Sequence, residues 1–523
     1  MKSSLITTTY LIGKLWLDLT SVGAFQTTAL YSIQLRKAGL TKRAPLAAST
    51  TIDKDLSSLP LPPHRKPGPF RNIRDTISYF INPHKFTVTC AKELGPVFLT
   101  HQFFKPIVVV GGREAVKEFI SGKELSSEVV YSALPDQFKE LHTKWGTLNM
   151  NANDELFKES RKMFADALQS NEALQHHTEY INQELDKYMA DLERRITENP
   201  EKPIFLVPEL TSLCLQIFST IFSGEGLTKE QEQLFIDYNA GLLTISKKSN
   251  KFVKGAEALN TLKSEMETRY LRLDATVGQL NKNPGQFFHD ILYNLEGYKN
   301  NYDRISSVTL LFIWGAYIEC AALMIDAMLI SKKDPETLSR VLDEYRSRLA
   351  TFHPESSYKF WSGMPYTLGV VRESLRLIPP GGGTPRFSTK DFELQGYRIP
   401  ANTAVVMDPR IGNSDPELFK NPEEFRPIRW VPANQDDTSS KCPFRGTALN
   451  KGSGSWFPGG YGAHQCPGLP VAELISKMFL IKMANRFTSW ECSGSGLTRK
   501  GEVKYNEIPI KIPVDELGLV IRK

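Results

Sequence analysis

Cysteine is scarce and scattered. Six cysteines stand at positions 90, 214, 320, 442, 466 and 492 of a 523-residue chain, and no two of them form a CxxC pair. That spacing excludes a disulfide-stapled scaffold and a CxxC-type zinc site. Charge excess is also confined: residues 1–52 hold six Lys/Arg against Asp18 alone, which supplies +5 of the formal net charge of +6. The rest of the chain is nearly neutral and lacks the basic footprint of a nucleic-acid-binding protein, so no nucleic acid is expected as a partner. Uninterrupted apolar runs are missing as well. Residues 5–30 are broken by Lys14 and Asp18, and residues 308–330 contain Glu319 and Asp326. Each of those acids would cost about 3 kcal/mol at the centre of a bilayer, so 308–330 reads as a core helix and not a membrane span. There is no internal repeat, no low-complexity tract, and no flavin, nicotinamide or iron–sulfur motif. With 41% apolar and 23% charged residues, what remains is an ordinary globular composition, long enough to bury a large core.

The first 56 residues stand apart. They are rich in Ser and Thr, poor in acids, and carry Lys2, Lys14, Arg36, Lys37, Lys42 and Arg43. This is the composition of a transit peptide for a plastid or mitochondrion, with a weak membrane anchor or a tail as the alternative. The run SVGAFQ, from Ser21, resembles the signal–transit junction of algae with complex plastids. Residues 57–70, SSLPLPPHRKPGPF, hold five prolines and so form a stiff, non-helical boundary to a body expected over 57–523.

Within that body the periodicity predicts a helix around 83–94, two short strands in PVFLTHQFFKPIVVVGG, a helix from Arg113, and mostly helix from about 150 to 350. After Arg376 short β-like runs such as DFELQGYRIPANTAVVMD appear, then a long irregular segment over 416–454, then a helix over about 471–487. The fold class is mainly α with a small β region.

Most of the coil lies just before Cys466, in SWFPGGYGAHQCPGL. A thiolate is held best where backbone N–H groups and a helix N-terminus point at sulfur, and a glycine-rich loop feeding a helix provides both. Gly459, Gly460 and Gly462 let the backbone turn under a flat partner, and Gly468 lets the helix start approach it without a Cβ. Upstream, in order, lie ESLR (Glu373 to Arg376) and FRPIRW (Phe425 to Trp430).

Taken together, these motifs resemble those of the cytochrome P450 family over roughly residues 57–515. Glu373 and Arg376 match its ExxR, Pro427 and Arg429 its PxR segment, and Gly462, His464, Cys466 and Gly468 its haem loop. The resemblance implies haem b ligated through iron by Cys466, with the Glu373–Arg376–Arg429 ion network holding the loop. It also implies haem-carboxylate contacts from Arg161, which shares ELFKESRK with Phe157, from Arg386 in GGGTPRF, and from His464. On the central helix, WGAYIECAA puts Glu319 and Cys320 where the family has an acid followed by threonine.

What the resemblance implies in function is a haem-thiolate monooxygenase oxidising a small, largely hydrophobic molecule in specialised or lipid/isoprenoid metabolism. O2 and an electron donor, either NADPH-cytochrome P450 reductase or a ferredoxin, would complete the reaction, with the protein a monomer that touches a membrane at most peripherally. The endoplasmic reticulum surface is the other compartment the family suggests. Cys320 departs from the pattern, because a thiol is a poor hydrogen-bonding replacement for a hydroxyl. An isomerase or dehydratase acting on a hydroperoxide therefore stands as the alternative, as does a haem-binding protein without turnover. Phe457 is two positions further from the cysteine than the family's aromatic residue. Ile313, Trp314, Tyr317 and Ile378 are expected to line the pocket; the three glycines 381–383 give either room for a bulky or polar substrate or merely a turn; and Lys441, Arg445 and Lys451 are candidates for meeting an acidic donor.

Overall fold

The computed structural model describes residues 56–65, 71–102, 105–121, 129–130, 136–142, 150, 154–244, 246–275, 283–383, 385–388, 390–431, 456–460, 464–507 and 510–523. The N-terminal segment, Gly462, Lys441, Arg445 and Lys451 lie outside them.

Local signals set the helix boundaries. Helix Pro83–Leu94 begins where the Asn82 side chain accepts from the Lys85 N–H at 2.8 Å, with proline at its first position, and ends at Gly95. Helix Asn171–Glu198 is capped by the Ser170 hydroxyl and buries Leu174, Thr178, Ile181, Leu185, Met189, Leu192 and Ile196, a stripe at helical spacing. Helix Lys229–Leu242 opens with a reciprocal capping box between Thr228 and Gln231.

The longest helix, Tyr302–Ser331, starts six residues before its apolar run because the Asn301 side chain caps it and Asp303 complements its first turn. Helix Leu206–Ser223 packs along one side of it, Asn250–Asp274 along another, and Pro365–Leu377 and Leu469–Arg486 beneath. Its most apolar window has a mean hydropathy of 1.9 and is 67% buried. Both this helix and Leu206–Ser223 are long and apolar enough to cross a membrane, yet each buries two-thirds of its apolar window within this fold.

Five strands form the main sheet. Lys105–Val110 pairs antiparallel with Val97–Gln102 on one side and parallel with Ala404–Met407 on the other; Pro385–Ser388 and Val129–Val130 follow. This sheet places Arg386 opposite Val405. A three-stranded sheet joins Ile204–Phe205, Gly518–Arg522 and Ser489–Ser493, and a hairpin pairs Tyr505–Asn506 with Ile512–Pro513. Leu56–Ile245 with Ser249–Lys523 make one compact unit. The mainly α expectation holds, and the last predicted helix begins two residues early, at Leu469 directly after the cysteine loop.

Candidate active site

The site is built on an ion network buried in the core. Glu373 is fully buried on helix Pro365–Leu377 and receives Arg376 in a two-point pair, Nε to Oε2 at 3.0 Å and Nη2 to Oε1 at 2.7 Å. Arg429 Nε donates to Oε1 at 3.1 Å, the Arg426 backbone N–H to the same oxygen at 3.1 Å, and Trp430 Nε1 to Oε2 at 2.9 Å. Arg376 spends its other donors on the carbonyls of Asn413 and Pro422, at 2.8 and 2.6 Å. Burial pulls the Arg429 guanidinium below its ordinary range; Glu373 opposes the shift, and the neighbouring Arg376 and Arg426 add to it. Removing one member of such a network leaves a buried charge uncompensated.

Trp430 carries this network to the cysteine loop. Its ring lies 4.4 Å from that of Trp456, the residue before Phe457. From there the chain turns: the Gly460 N–H donates to the Phe457 carbonyl at 3.0 Å, Gly460 has φ +77°, and the Cys466 N–H donates to the Gly459 carbonyl at 2.6 Å. A Cβ on Gly459 would sit 2.8 Å from that of Cys466, so only glycine allows this closure. The closure joins Gly459, two residues after Phe457, directly to the cysteine.

Cys466 exposes surface even though protein surrounds it, so its thiol opens onto internal space. Burial pushes the thiol up, while the backbone N–H groups of Gly468 and Leu469, at the start of helix Leu469–Arg486, act to lower it. The second effect is the one expected of a glycine-rich loop feeding a helix; the first opposes it. Near Gly468 the nearest atom to an added Cβ is Cys466 Sγ at 3.9 Å, which leaves a clear approach to the sulfur.

The long helix faces that space with a stripe. Leu311, Trp314, Gly315, Ala316, Ile318 and Glu319 are the less buried residues in the middle of an otherwise buried element, and all but Ala316 fall at i, i+3, i+4, i+7 and i+8. An added Cβ on Gly315 would meet nothing within 4 Å. Ile313 and Tyr317, expected in the lining, are instead packed into the core at 0% and 1% exposure, because they fall on the opposite side of the helix. Trp314, also expected there, is part-buried on the less buried side, together with Leu311 and Ile318.

Glu319 Oε2 is buried without a hydrogen bond, and burial pushes its carboxyl up to about 7. Cys320 is buried among apolar groups, within electrostatic reach of Cys214, Glu319 and Cys466, and its thiol is pushed well above the ordinary value. It is therefore held neutral at physiological pH.

Arg161, Arg386 and His464 converge. Burial first, then the two nearby guanidiniums, depress the His464 imidazole to about 3, so it is neutral. The Phe157 ring lies 4.4 Å from that of His464, and Arg161 also acts on Cys466. The structure thus gathers two arginines and a histidine beside a thiol that faces open space bounded by glycine. That donor set fits an anionic, flat group with a metal centre that takes sulfur.

Comparison with known proteins agrees with this geometry. The sequence profile described as Cytochrome P450 matches residues 62–503. Cytochrome P450 26A1 of Danio rerio is 24% identical over 88% of this chain and 89% of the relative. Norfluorocurarine oxidase of a Strychnos species is 24% identical over 77% and 82%. The solved structure of retinoic acid bound cyanobacterial CYP120A1 superposes with a TM-score of 0.69 at 20% identity, covering 89% of this chain and all of that one. A site of this kind on this fold defines a haem-thiolate oxidoreductase. The chain belongs to the cytochrome P450 family, whose members are monooxygenases using O2, redox partners and small-molecule substrates.

Trp456, the Leu311–Ile318 stripe, and the contact of Asp326 with Tyr505 were not foreseen. Trp456 lies within the loop that was read, but its ring contact with Trp430 joins distant segments and leaves no local signal.

Proposed function

We infer that this protein oxidises a carbon of a small, largely apolar molecule, using O2 and electrons delivered by a separate protein, with haem b bound through Cys466. The carrying observation is the Cys466 thiol, open to an internal space, served by the N–H groups of Gly468 and Leu469, and braced through Trp456 and Trp430 by the Glu373 network. When bound, haem supplies oxygen activation, favoured by a thiolate ligand.

The chain's own residues do the rest. Arg161, Arg386 and His464 are suited to hold the two haem carboxylates, two by charge and one as a neutral donor. Gly315 leaves room for ligand against the long helix, and the apolar flank of Leu311, Trp314 and Ile318 favours a hydrophobic substrate and excludes water. Glu319, poised near neutrality, takes up and passes on protons at its carboxyl oxygens. Cys320, buried and neutral, supplies no comparable relay, which is the observation favouring a hydroperoxide isomerase as the second reading. The acid retained at Glu319 places the monooxygenase first.

The basic, acid-poor segment 1–56 supports delivery to an organelle, and the body from residue 57 acts as the haem domain. The test is the carbon-monoxide spectrum of the reduced protein. Wild type shows the thiolate signature and Cys466→Ser loses it; a variant that kept it would overturn the ligand assignment. Product formed from a hydroperoxide without reductant would favour the second reading.

A further inference from the structure

His142 follows the short helix Asp136–Leu141 and is 1% exposed. Its ring stacks on Phe138 at 4.8 Å and meets Trp314 edge-on at 5.3 Å. Among the described residues neither ring nitrogen has a hydrogen-bond partner, which is rare for a buried imidazole and calls for an explanation. Trp314 belongs to the stripe beside Gly315 and is itself fixed, its Nε1 donating to Asn239 Oδ1 at 3.0 Å. The neighbouring Leu141 carbonyl already accepts from the Tyr238 hydroxyl at 3.3 Å, so the surrounding polar groups are committed to one another and leave the imidazole aside. Burial depresses His142, to about 4, and among the described residues no charged group acts on it. A neutral imidazole offers one N–H donor and one bare nitrogen acceptor.

We propose that His142 is a substrate-recognition residue, which bonds a neutral oxygen function, hydroxyl or carbonyl, carried by an otherwise apolar substrate. This rests on the reading above that the Trp314–Gly315 stripe bounds the substrate space. Such a residue lacks a partner in the free protein because the ligand brings it. An uncharged imidazole in an apolar slot, with no cation near it among the described residues, discriminates against a carboxylate. The hydroxyl can donate to the bare nitrogen, whereas a carbonyl uses the N–H only, so the two are separable by affinity.

The test has two arms. In the first, equilibrium dialysis measures binding of decan-1-ol, decan-2-one, decane and decanoate to wild type, His142→Phe and His142→Gln. Dialysis reports binding whatever the state of the haem, and a carbon-monoxide spectrum of the same samples checks the underlying reading separately. Wild type should bind the alcohol or ketone about 10-fold more tightly than decane or decanoate, His142→Phe should bind all four within about 2-fold, and His142→Gln should restore part of the preference. In the second, ligand-free His142→Phe should melt at a higher temperature than wild type, since phenyl fills the slot without buried polar atoms. Equal binding of all four probes by wild type, binding of none of them, or a lower melting temperature for His142→Phe would each overturn the proposal.

Discussion

The buried carboxyl of Asp326 offers a prediction whose sign and size both follow from its surroundings. It lies on the long helix two turns beyond Glu319, 1% exposed. Oδ1 accepts from the Tyr505 hydroxyl at 2.7 Å, and Oδ2 has no partner. Burial pushes the carboxyl up from 3.8 to about 7, although Tyr505 and Lys511 oppose the rise and Glu507 adds to it. At about 1.36 kcal/mol per pH unit, that rise corresponds to about 4 kcal/mol, which water penetration trims toward about 2. Because the folded value exceeds the unfolded one, this stability is fully present below about pH 4 and is lost as pH rises through about 7. Asp326→Asn keeps an oxygen for Tyr505 but cannot ionise. Chemical denaturation of both proteins at intervals from pH 4 to 8 measures the difference between them; Glu319 titrates in the same window but cancels in the comparison. The variant should gain on wild type by 2 to 4 kcal/mol across that range, an order-of-magnitude figure from the same shift. A difference that stays constant with pH would show that the carboxyl is not perturbed and refute the reasoning.

Three further outcomes follow from the same structure. Glu373→Ala strands Arg376 and Arg429 in the core and should destabilise the protein by about 3–5 kcal/mol, read as loss of soluble, haem-loaded protein; Glu373→Gln should be milder. Glu319→Gln should lower turnover about 100-fold and flatten a pH–rate profile that in wild type falls above about pH 7; an unchanged profile would assign the proton to another group. Gly315→Ala meets no atom within 4 Å and should stabilise the long helix by about 1 kcal/mol, whereas Gly315→Phe should block ligand binding while the protein stays folded. Denaturation midpoints and dialysis separate the two effects.

Much of the site was legible because its parts are written locally. Glu373 and Arg376 lie one helical turn apart, so their pairing follows from helix geometry alone. Cys466 sits between glycines and a helix start, and backbone N–H groups at a helix N-terminus must point at whatever precedes it. The core helix was readable from apolar residues interrupted by two acids. The lining was read less well. Ile313 and Tyr317 are as apolar as Leu311 and Ile318, and composition does not tell which side of a helix with apolar residues all round faces a cavity.

Residue order and local periodicity determined the helical body, the order of the motifs, the glycine-permitted loop and the identity of the sulfur. Tertiary structure alone decided that Arg161, Arg386 and His464, drawn from three distant segments, converge, that the Trp456 ring meets that of Trp430, and that His142 is enclosed against Trp314. The reason is range. Hydrogen bonds along one helix or turn are set by neighbours in sequence, whereas burial, and with it each shifted carboxyl and imidazole, depends on which distant surfaces close over a group.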